Sequence, residues 1–460
     1  MTAINAKLFK KYDIRGRASG DDAPLTVEAA YAIGRAFGTY LYQIEKRRVV
    51  VVGRDNRHSS QALMDAAMAG LVECGCHVVD IGLTSTPLVY WHAVHRGDAG
   101  GMMITGSHLT PDQNGFKLCV GARNLYGDRI QDIRRLIERG QFISGSGHID
   151  CIESLDGYTA DIVPKLRAPR SLKVVVDAGN GTAGLIAPRL LRPLGHQVTE
   201  LFCEIDGSYP NHQPDPQAAE NMRALSQKVR EVGADVGIAF DGDADRMGAV
   251  DEQGNVIAAD RILALLARDM LARHPGAAVV ADVLSSQVLF DEVERAGGVP
   301  VMWASGHSLV KARMAEIGAL LGGEMSGHIF LGEDFYGYDD AYLAAGRLLK
   351  LIATSRMPLS ALNASIPTLY STPEYRPHCP DDLKQTVIDG VKAALEGKGE
   401  IVDVDGIRIR FERGWGLLRA SNTEPVLSLR FEGETEADAL AYRDLFASAL
   451  NAYPQVDSLT

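Results

Sequence analysis

The chain has 460 residues, of which 46% are hydrophobic and 23% are charged, and its formal net charge is −12. Because a single hydrophobic core stops growing at about 250 to 300 residues, this length predicts roughly three domains. The acidic balance argues against an extended basic face, so we expect neither a nucleic acid nor a membrane as a partner. A small anionic substrate is compatible with this net charge if arginine and lysine side chains gather at the binding site.

The first residues and the cysteines indicate the compartment. Residues 1–11 contain no apolar segment typical of a signal peptide, and no run of 18 apolar residues occurs in the sequence. We therefore expect a soluble, cytoplasmic protein, and we expect it to be a monomer. The absence of Cys-x-x-Cys spacing favours reduced thiols at Cys74, Cys76, Cys119, Cys151, Cys203 and Cys379.

Taken in order, the chain shows a repeated pattern. Residues 11–16 include Tyr12 and Arg15, and by themselves are compatible with a surface turn or a functional loop. The order strand, polar loop, helix, glycine, strand then occurs three times, over residues 49–82, 173–202 and 278–303. This pattern predicts parallel βαβ units with right-handed crossovers, and hence a threefold repeat of an α/β domain.

Each copy is expected to carry a distinctive polar loop after its second strand. These loops cover residues 105–108, 241–246 and 324–328. Ligands collect beyond the carboxyl ends of strands in open α/β sheets. We therefore expect the three copies to contribute one loop each to a central cleft.

The sequence pattern changes beyond residue 366. Four prolines between residues 367 and 380 predict a linker, which we expect to act as a hinge that closes the cleft. A helix over 381–395, alternating stretches at 401–405 and 407–411, a loop and strand over 419–431 and a helix over 434–450 predict a smaller α+β domain with an antiparallel sheet. The predicted division is three similar mixed α/β domains, 1–148, 149–252 and 253–366, followed by the α+β domain, 367–460.

The loop around Ser107 is the first candidate site. A short apolar run ends at residues 105 and 106, and a lone serine follows in a loop where glycine relieves the backbone. His108 and Lys117 can lie nearby. Since a hydroxyl is a weak nucleophile at its own pKa, Ser107 needs a base and a charged partner from elsewhere in the chain.

The second candidate site is the acidic loop after the strand at residues 236–240. Asp241, Asp243 and Asp245 would repel one another unless a hard cation lies between them, and oxygen ligands suit Mg²⁺. An EF-hand is excluded because Arg246 stands where that loop needs glycine and a strand precedes it; a solvated acidic turn remains the alternative. Arg246 can reach the same anion as the metal.

Two further loops suit a sugar and a phosphate. Glu324 and Ser326, two residues apart, would project to the same side of an extended segment and suit vicinal sugar hydroxyls. Residues 419–425 gather a guanidinium, hydroxyls, an amide and backbone N–H groups that suit a phosphate, and Arg430 follows on the next strand. The first loop is also compatible with an ordinary polar loop, and the second with a plain turn.

The chain resembles the α-D-phosphohexomutases over essentially its whole length, and most closely the bacterial phosphomannomutase/phosphoglucomutase group. The resemblance rests on five motifs that occur in the family's order, at residues 12–16, 105–108, 241–246, 324–328 and 419–425. The resemblance implies a four-domain enzyme in which Ser107 carries a phosphoryl group and holds Mg²⁺ together with Asp241, Asp243 and Asp245. It also implies that the remote phosphate binds Arg419, Ser421, Asn422, Thr423 and Arg430, and that Glu324 and Ser326 bind the sugar.

The same resemblance implies roles for the remaining site residues. Arg15, Lys117 and His328 would lie near the transferring phosphoryl group, with the individual acid and base unassigned. Substrate would also contact Tyr12, His108, Arg246 and His307. The implied reaction moves phosphate reversibly between O1 and O6 of glucose or mannose phosphate, through phosphoserine and a hexose 1,6-bisphosphate.

The sequence departs from the pattern of the family at two positions, and three rival functions remain open. Leu284 stands where bacterial relatives often carry lysine, and Leu109 stands where asparagine is usual. Within the same class the rival is a phosphoglucosamine mutase, which Met325 and Asn422 disfavour. Outside that class the rivals are a phosphatase with Asp241 as nucleophile and Asp243 as acid, and a non-enzymatic module that binds metal and sugar.

Overall fold

The structure, a computed structural model, describes residues 4–421 and 424–459, so the predicted site residues Asn422 and Thr423 lie outside the described residues. The chain forms two compact units. The first comprises Met1–Ile262 and Ser326–Asn363, and the second comprises Leu263–Met325 and Ala364–Thr460. Each unit is therefore assembled from two separate segments of the sequence.

Residues 4–151 fold into one sheet and four α-helices, after a short 3-10 helix at Ala6–Leu8. A π-helical turn, Leu41–Glu45, extends the first α-helix. The strands are β1 Ile14–Arg17, β2 Val49–Arg54, β3 His77–Leu83, β4 Gly100–Ile104, β5 Gln113–Val120, β6 Arg123–Asn124 and β7 His148–Cys151. The helices are α1 Val27–Tyr40, α2 Ser60–Glu73, α3 Thr86–Val94 and α4 Asp128–Arg139.

This first sheet has the strand order β1-β5-β4-β2-β3-β7, with β6 paired to β5. Strands β4, β2, β3 and β7 are parallel, and β5 and β1 are antiparallel to their neighbours. Val50, Val51 and Val52 of β2 are buried, as expected for a parallel strand covered by helices on both faces. Glycines let α1 and α2 approach closely: a Cβ at Gly34 would lie 2.1 Å from the Ala67 carbonyl oxygen.

The rest of the first unit contains a second sheet. Its elements are α5 Leu155–Leu166, β8 Lys173–Asp177, α6 Ala183–Leu191, β9 Gln197–Leu201, α7 Arg223–Val232, β10 Val236–Phe240, β11 Met247–Asp251 and β12 Val256–Ile257. The strand order is β12-β11-β10-β8-β9, in which β10, β8 and β9 are parallel and β11 and β12 are antiparallel. Helix α8, Ala259–Arg273, crosses the boundary between the units.

The second unit begins with a third α/β segment. It contains β13 Ala278–Asp282, α9 Gln287–Arg295, β14 Val299–Trp303, α10 His307–Ile317 and β15 Leu321–Gly323, with β13 parallel to both β14 and β15. The chain then returns to the first unit with β16 Ile329–Leu331, α11 Ala341–Ser355 and α12 Leu359–Ala364, although Ala364 itself belongs to the second unit. The parallel βαβ units predicted from the three repeats are confirmed.

The C-terminal segment is an antiparallel sheet covered by two helices, as predicted. Its elements are β17 Tyr370–Ser371, α13 Lys384–Ala394, β18 Glu400–Val402, β19 Ile407–Phe411, β20 Gly414–Ala420, β21 Leu427–Gly433 and α14 Glu436–Leu450, with strand order β17-β21-β20-β19-β18. The three α/β segments and this α+β segment confirm the predicted fold class.

Two expectations from the sequence are wrong. In every repeat the polar loop follows the third strand, β4, β10 or β15, rather than the second. Each third strand is reached through a second helix, α3, α7 or α10, which the strand–helix–strand pattern did not include. The proline-rich segment is not a separate linker either, because Tyr370 and Ser371 pair with β21 and Tyr375 bridges to Leu429.

Other expectations stay predictions. These are the domain boundaries at residues 148, 252 and 366, the central cleft, and the hinge.

Among residues 4–421 and 424–459, the structure contains no helix with the length and apolar character needed to span a bilayer.

Candidate active site

Ser107 lies in the loop between β4 and β5 and is only 2% exposed. Its backbone is in the left-handed region, with φ of 51°, a conformation that few residues other than glycine adopt. The hydroxyl Oγ donates to Asp241 Oδ2 at 2.9 Å, and the amide donates to Thr105 Oγ1 at 2.7 Å. The strained backbone thus aims the serine hydroxyl at the acidic loop.

Arg57 is hydrogen-bonded to the backbone of the Ser107 loop. Its buried guanidinium donates to the carbonyl oxygens of Ser107 and Leu109 at 2.7 Å each, and further to those of Thr110 and Gln113. Asp55 accepts from Arg57 Nε at 3.1 Å and compensates the buried charge. One side chain therefore binds four backbone carbonyl groups of this loop.

Glycines allow these close approaches. A Cβ at Gly106 would lie 2.5 Å from the Arg57 guanidinium carbon. A Cβ at Gly242 would lie 2.4 Å from the Ser107 carbonyl oxygen. Because real Cβ atoms do not come so close to other heavy atoms, both loops need glycine in order to meet.

Asp241, Asp243 and Asp245 follow β10 and are fully buried. One carboxylate oxygen from each lies within 4.8 Å of the others, so the three could hold a metal ion. Asp241 Oδ1 accepts from the amides of Asp245 and Arg246 at 3.1 Å each. Asp243 Oδ2 accepts from the hydroxyl of Thr86, at the start of α3, at 2.5 Å.

The electrostatics of this cluster fit a cation. Burial, followed by repulsion from Asp245 and Asp243, raises the pKa of Asp241 well above its usual range. The buried Oδ1 of Asp243 accepts no hydrogen bond from any described residue. Because all the available donors are oxygens, the cluster suits a hard divalent cation such as Mg²⁺ better than a soft one.

Lys117 and His328 adjoin the cluster. Lys117, on β5, donates to Asp243 Oδ2 at 2.6 Å and also to Asp245. Burial opposes the charge of Lys117, but attraction to Asp243 and Asp245 outweighs it and raises the pKa of this lysine. His328 Nδ1 lies 3.2 Å from Asp339 and 3.8 Å from Asp245, and burial lowers the pKa of His328 to about 4.

Arg246 and His108 share a carboxylate on a neighbouring loop. Arg246 Nη1 lies 3.7 Å from Asp215 Oδ1, and its Nε lies 3.4 Å from Asp241 Oδ2. His108 Nδ1 lies 3.3 Å from Asp215 Oδ2. The structure thus brings both predicted substrate-binding residues to the edge of the Ser107 and aspartate cluster.

Arg15 and Tyr12 lie at the start of β1. Arg15 Nη2 donates to Asp13 at 2.5 Å, and β1 is hydrogen-bonded to β5, the strand that carries Lys117. Arg15 lies opposite Gly115, two residues before Lys117. The sheet therefore places Arg15 and Lys117 on neighbouring strands, whereas Tyr12 precedes the strand.

The second unit carries the predicted sugar-binding residues Glu324 and His307. Glu324 follows β15, is 5% exposed, and accepts from the amide of Gly306 at 2.6 Å. His307 is the next residue and begins α10. The boundary between the units separates Glu324 from Ser326, whose buried hydroxyl has no hydrogen-bond partner among the described residues.

The predicted phosphate-binding arginines lie on one face of the C-terminal sheet. Arg419 on β20 pairs with Ser428, and Arg430 on β21 pairs with Leu417, so the two side chains share a face. Arg419 Nε donates to Asp405 at 2.9 Å. Arg430 donates to the Leu284 carbonyl at 2.7 Å and to Glu432 at 2.6 Å.

Ser421 follows β20 and is the last described residue before Asn422 and Thr423. Its carbonyl oxygen accepts from the buried ammonium of Lys384 at 3.0 Å, and Lys384 also donates to the carbonyl of Glu424 at 2.5 Å. Lys384 thus binds the carbonyl groups of the two described residues, Ser421 and Glu424, on either side of that gap.

Sequence reasoning missed the residues that orient the site. They act through contacts between distant parts of the chain, and they are Asp55, Arg57, Thr86, Asp215, Asp339, Lys384 and Asp405. The only sequence signal was the charged stretch Arg54-Asp-Asn-Arg57 at the carboxyl end of β2, in the position where ligand loops occur.

Comparison with known proteins connects this geometry to a family. Models described as the α/β/α domains I, II and III of phosphoglucomutase/phosphomannomutase match residues 6–144, 152–254 and 258–370. The model of the C-terminal domain of the same proteins matches residues 378–449. Nearly the whole chain is therefore covered by one set of domains in one order.

Relatives that match over the whole chain carry the names of the same group of enzymes. A phosphomannomutase/phosphoglucomutase of Pseudomonas aeruginosa is 43% identical, covering 98% of this chain and 96% of the relative. A phosphoglucomutase of Neisseria gonorrhoeae is 40% identical and covers 99% of both chains. The crystal structure of a phosphoglucomutase/phosphomannomutase family protein from Burkholderia thailandensis superimposes with a TM-score of 0.94, at 40% identity and full coverage of both chains. The chain belongs to the phosphoglucomutase/phosphomannomutase family.

Proposed function

We propose that this protein is a phosphohexomutase that moves a phosphoryl group reversibly between O1 and O6 of a glucose or mannose phosphate. Ser107 carries the phosphoryl group, and a hexose 1,6-bisphosphate is the intermediate. The observation that carries the proposal is the buried Ser107 hydroxyl, which lies 2.9 Å from Asp241 within a cluster of three carboxylates. Lys117 and Arg246 place positive charge beside it, as phosphoryl transfer requires.

The proposed cycle has two transfers. First, the bond from phosphorus to Ser107 Oγ breaks as a free hydroxyl of the hexose phosphate bonds to phosphorus; the sugar hydroxyl loses its proton to a base, and Ser107 Oγ takes up a proton. The bisphosphate then presents its other end, Ser107 Oγ loses its proton and bonds to that phosphorus, and the released sugar oxygen takes a proton. The phosphoserine is thereby regenerated, and the net change is an isomerisation.

Proton transfer is proposed for His328, with Lys117 and Arg15 as cations beside the reacting phosphate. The lowered pKa of His328, a consequence of its burial, keeps the imidazole neutral and able to accept a proton. Lys117, whose pKa is raised by Asp243 and Asp245 despite its burial, stays an ammonium. Mg²⁺ bound by Asp241, Asp243, Asp245 and Ser107 would supply charge neutralisation at the transferring phosphoryl group.

The remaining residues are proposed to recognise the substrate. Glu324, Ser326 and His307 would bind sugar hydroxyls, which both donate and accept hydrogen bonds. Arg419, Ser421, Asn422, Thr423 and Arg430 would bind the phosphate that does not react, and Tyr12, His108 and Arg246 would contact the rest of the ligand. Support for this phosphate site comes from two cations: Arg419 precedes Ser421 on β20, and Lys384 donates to the carbonyl groups of Ser421 and Glu424.

The carrier role is tested with Ser107→Ala. Turnover of glucose 1-phosphate should fall to background, label from hexose 1,6-bisphosphate should no longer enter the protein, and binding of the sugar phosphate should persist. Ser144→Ala, at an exposed serine, is the matched control and should keep full activity. Normal turnover by Ser107→Ala would refute the carrier assignment, and an acid-labile label would instead support a phosphatase with an aspartyl intermediate.

The metal requirement is tested by removing divalent cations with a chelator. Turnover should stop because the three buried carboxylates would be left without their counter-ion, and added Mg²⁺ should restore it. Undiminished activity in chelator would remove the aspartate cluster from the mechanism. Asp243→Asn is the matching variant and should lower both activity and Mg²⁺ affinity.

The sugar specificity is tested by comparing turnover of glucose 1-phosphate, mannose 1-phosphate and glucosamine 1-phosphate in one coupled assay. We expect turnover of the first two, whereas preference for glucosamine 1-phosphate would favour the phosphoglucosamine mutase function. A cytoplasmic location and a monomeric state belong to the same proposal; gel filtration coupled to light scattering measures the latter.

A further inference from the structure

A second group of metal-ligand side chains lies on the edge of the first sheet. His77 begins β3, His148 begins the edge strand β7, and these two residues are direct partners in the parallel pairing. Asp150 follows His148 by two residues, so its side chain lies on the same face of the sheet. Topology alone therefore places two imidazoles and a carboxylate side by side.

The side-chain geometry converges on one point. The Nε2 atoms of His77 and His148 lie 2.8 Å and 3.7 Å from the same oxygen, Oδ2 of Asp150. The two imidazole rings are stacked, with centroids 4.2 Å apart and an interplanar angle of 18°. One ligand atom from each residue lies within 4.8 Å of the others. Ligands at about 2.0 to 2.1 Å around a tetrahedral ion are roughly 3.3 Å apart, so small side-chain rotations suffice.

We propose that His77, His148 and Asp150 form a binding site for a divalent transition-metal ion of the zinc class. Two imidazole nitrogens and one carboxylate oxygen are typical Zn²⁺ ligands, and Cu²⁺ and Ni²⁺ also favour imidazole. Mg²⁺ prefers oxygen ligands alone, so this donor set differs in kind from the aspartate cluster. The three side chains are 35%, 64% and 58% exposed, which leaves room for water as a fourth ligand.

This site is separate from the Ser107 cluster. Strands β4, β2, β3 and β7 run parallel, and Ser107 follows the carboxyl end of β4. His77 and His148 stand at the amino ends of their strands, which is the opposite end of the sheet. A metal ion here would join β7, an edge strand of four exposed residues, to β3 without touching the proposed reaction.

The first test is titration of the Mg²⁺-saturated protein with Zn²⁺ by calorimetry. We expect one Zn²⁺ per chain whose affinity falls at least about tenfold in His77→Ala and in His148→Ala, since even loss of a residue that only supports a metal ligand costs 10- to 100-fold. Cys151→Ser is the matched control. Its thiol donates to Asp80 at 3.7 Å, on the other face of the strand, so its removal should leave Zn²⁺ affinity unchanged.

The second test identifies the ligands directly. Cu²⁺ bound to the wild-type protein should show electron paramagnetic resonance couplings to two imidazole nitrogens, and this signal should disappear in either histidine variant. Zn²⁺ should also slow hydrogen exchange at residues 148–151 in the wild type and not in the variants. Equal Zn²⁺ affinity in wild type and variants, or a Cu²⁺ signal without nitrogen coupling, would overturn the proposal. Unchanged mutase turnover in Mg²⁺ verifies that the exposed histidine substitutions leave the fold intact.

Discussion

At the scale of single residues, the position of Ser107 depends on side chains that are far from it in the sequence. Motif spacing indicated the serine and the aspartates as candidates, and each lies on a loop directly after a strand. It was not enough to predict Arg57, fifty residues upstream, whose guanidinium binds the carbonyl oxygen of Ser107. A buried arginine with several carbonyl acceptors leaves no local pattern in the sequence, since its partners are backbone atoms of any residue type.

The first prediction concerns Arg57→Lys. Lysine keeps the charge beside Asp55 but cannot reach the carbonyls of Ser107, Leu109, Thr110 and Gln113 at once, so the serine loop should lose its fixed position. Because a displacement of about 1 Å can cost 10²-fold in rate, we expect kcat to fall on the order of 100-fold while KM changes little. Steady-state kinetics measure both constants.

Arg54→Lys is the matched control, since Arg54 is on the same segment and donates to Gln61. It should retain kcat. A kcat for Arg57→Lys close to that of the wild type would show that the loop holds its own conformation without the guanidinium.

At the scale of secondary-structure elements, helix α3 carries a residue that contacts the candidate active site at one end and a buried histidine at the other. Its first residue, Thr86, binds Asp243, and its last turn carries His92, which is 4% exposed. His92 Nε2 donates to the carbonyl oxygen of Ser154 at 2.8 Å, and Nδ1 accepts from Arg96 at 2.8 Å. Because a carbonyl only accepts and a guanidinium only donates, these partners select the neutral imidazole.

The second prediction is that α3 is destabilised at acidic pH. Burial lowers the pKa of His92 to about 4, below the ordinary value of 6.5, so the unfolded segment takes up a proton before the folded one does. The stability from the neutral imidazole is complete above pH 6.5 and is lost as the pH falls toward 4. At pH 5 the loss should be roughly 2 kcal/mol, from 1.36 kcal/mol per unit.

Native-state hydrogen exchange of the α3 amides measures this loss, because it reports local opening without global unfolding. His92→Gln, which still donates and accepts but does not titrate, should show a smaller change in opening free energy between pH 7 and pH 5. His58→Gln, at an exposed histidine, should behave like the wild type. Equal pH dependence in all three proteins would contradict the assignment.

The elements themselves were largely predictable. Apolar runs of valine such as that of β2, followed by amphipathic helices, gave the three parallel βαβ units, and alternation gave the antiparallel C-terminal sheet. Of the third strands of the repeats, β10 was predicted, but β4 and β15 were missed because they contain few β-branched residues and two glycines each. Glycine carries little strand preference, so only the pairing with a neighbouring strand establishes them.

At the scale of the whole molecule, the structure groups the chain into two units that each use two separate stretches of the sequence. Helix α11 belongs to the first unit although it follows residue 325. Its buried Asp340 cap accepts from the Tyr158 hydroxyl at 2.8 and 2.9 Å, and the hydroxyls of Tyr342 and Ser85 lie 2.6 Å apart. Contacts across about 180 to 260 residues cannot be inferred from local periodicity.

The last prediction follows from this interleaving: a chain that ends at Ile262 should not unfold cooperatively. It lacks four buried side chains of α11, Leu343, Leu348, Leu349 and Ile352. Each contributes about 1.5 to 3 kcal/mol, so together they approach the roughly 5 to 15 kcal/mol that stabilises a whole domain. The comparison is with the same chain joined to residues 326–363 through a flexible glycine–serine linker of about 20 residues, long enough to span about 25 Å. Circular dichroism should give a sharp thermal transition for the joined chain and a broad one for the truncated chain; equally sharp transitions would mean that residues 1–262 fold without the returning segment.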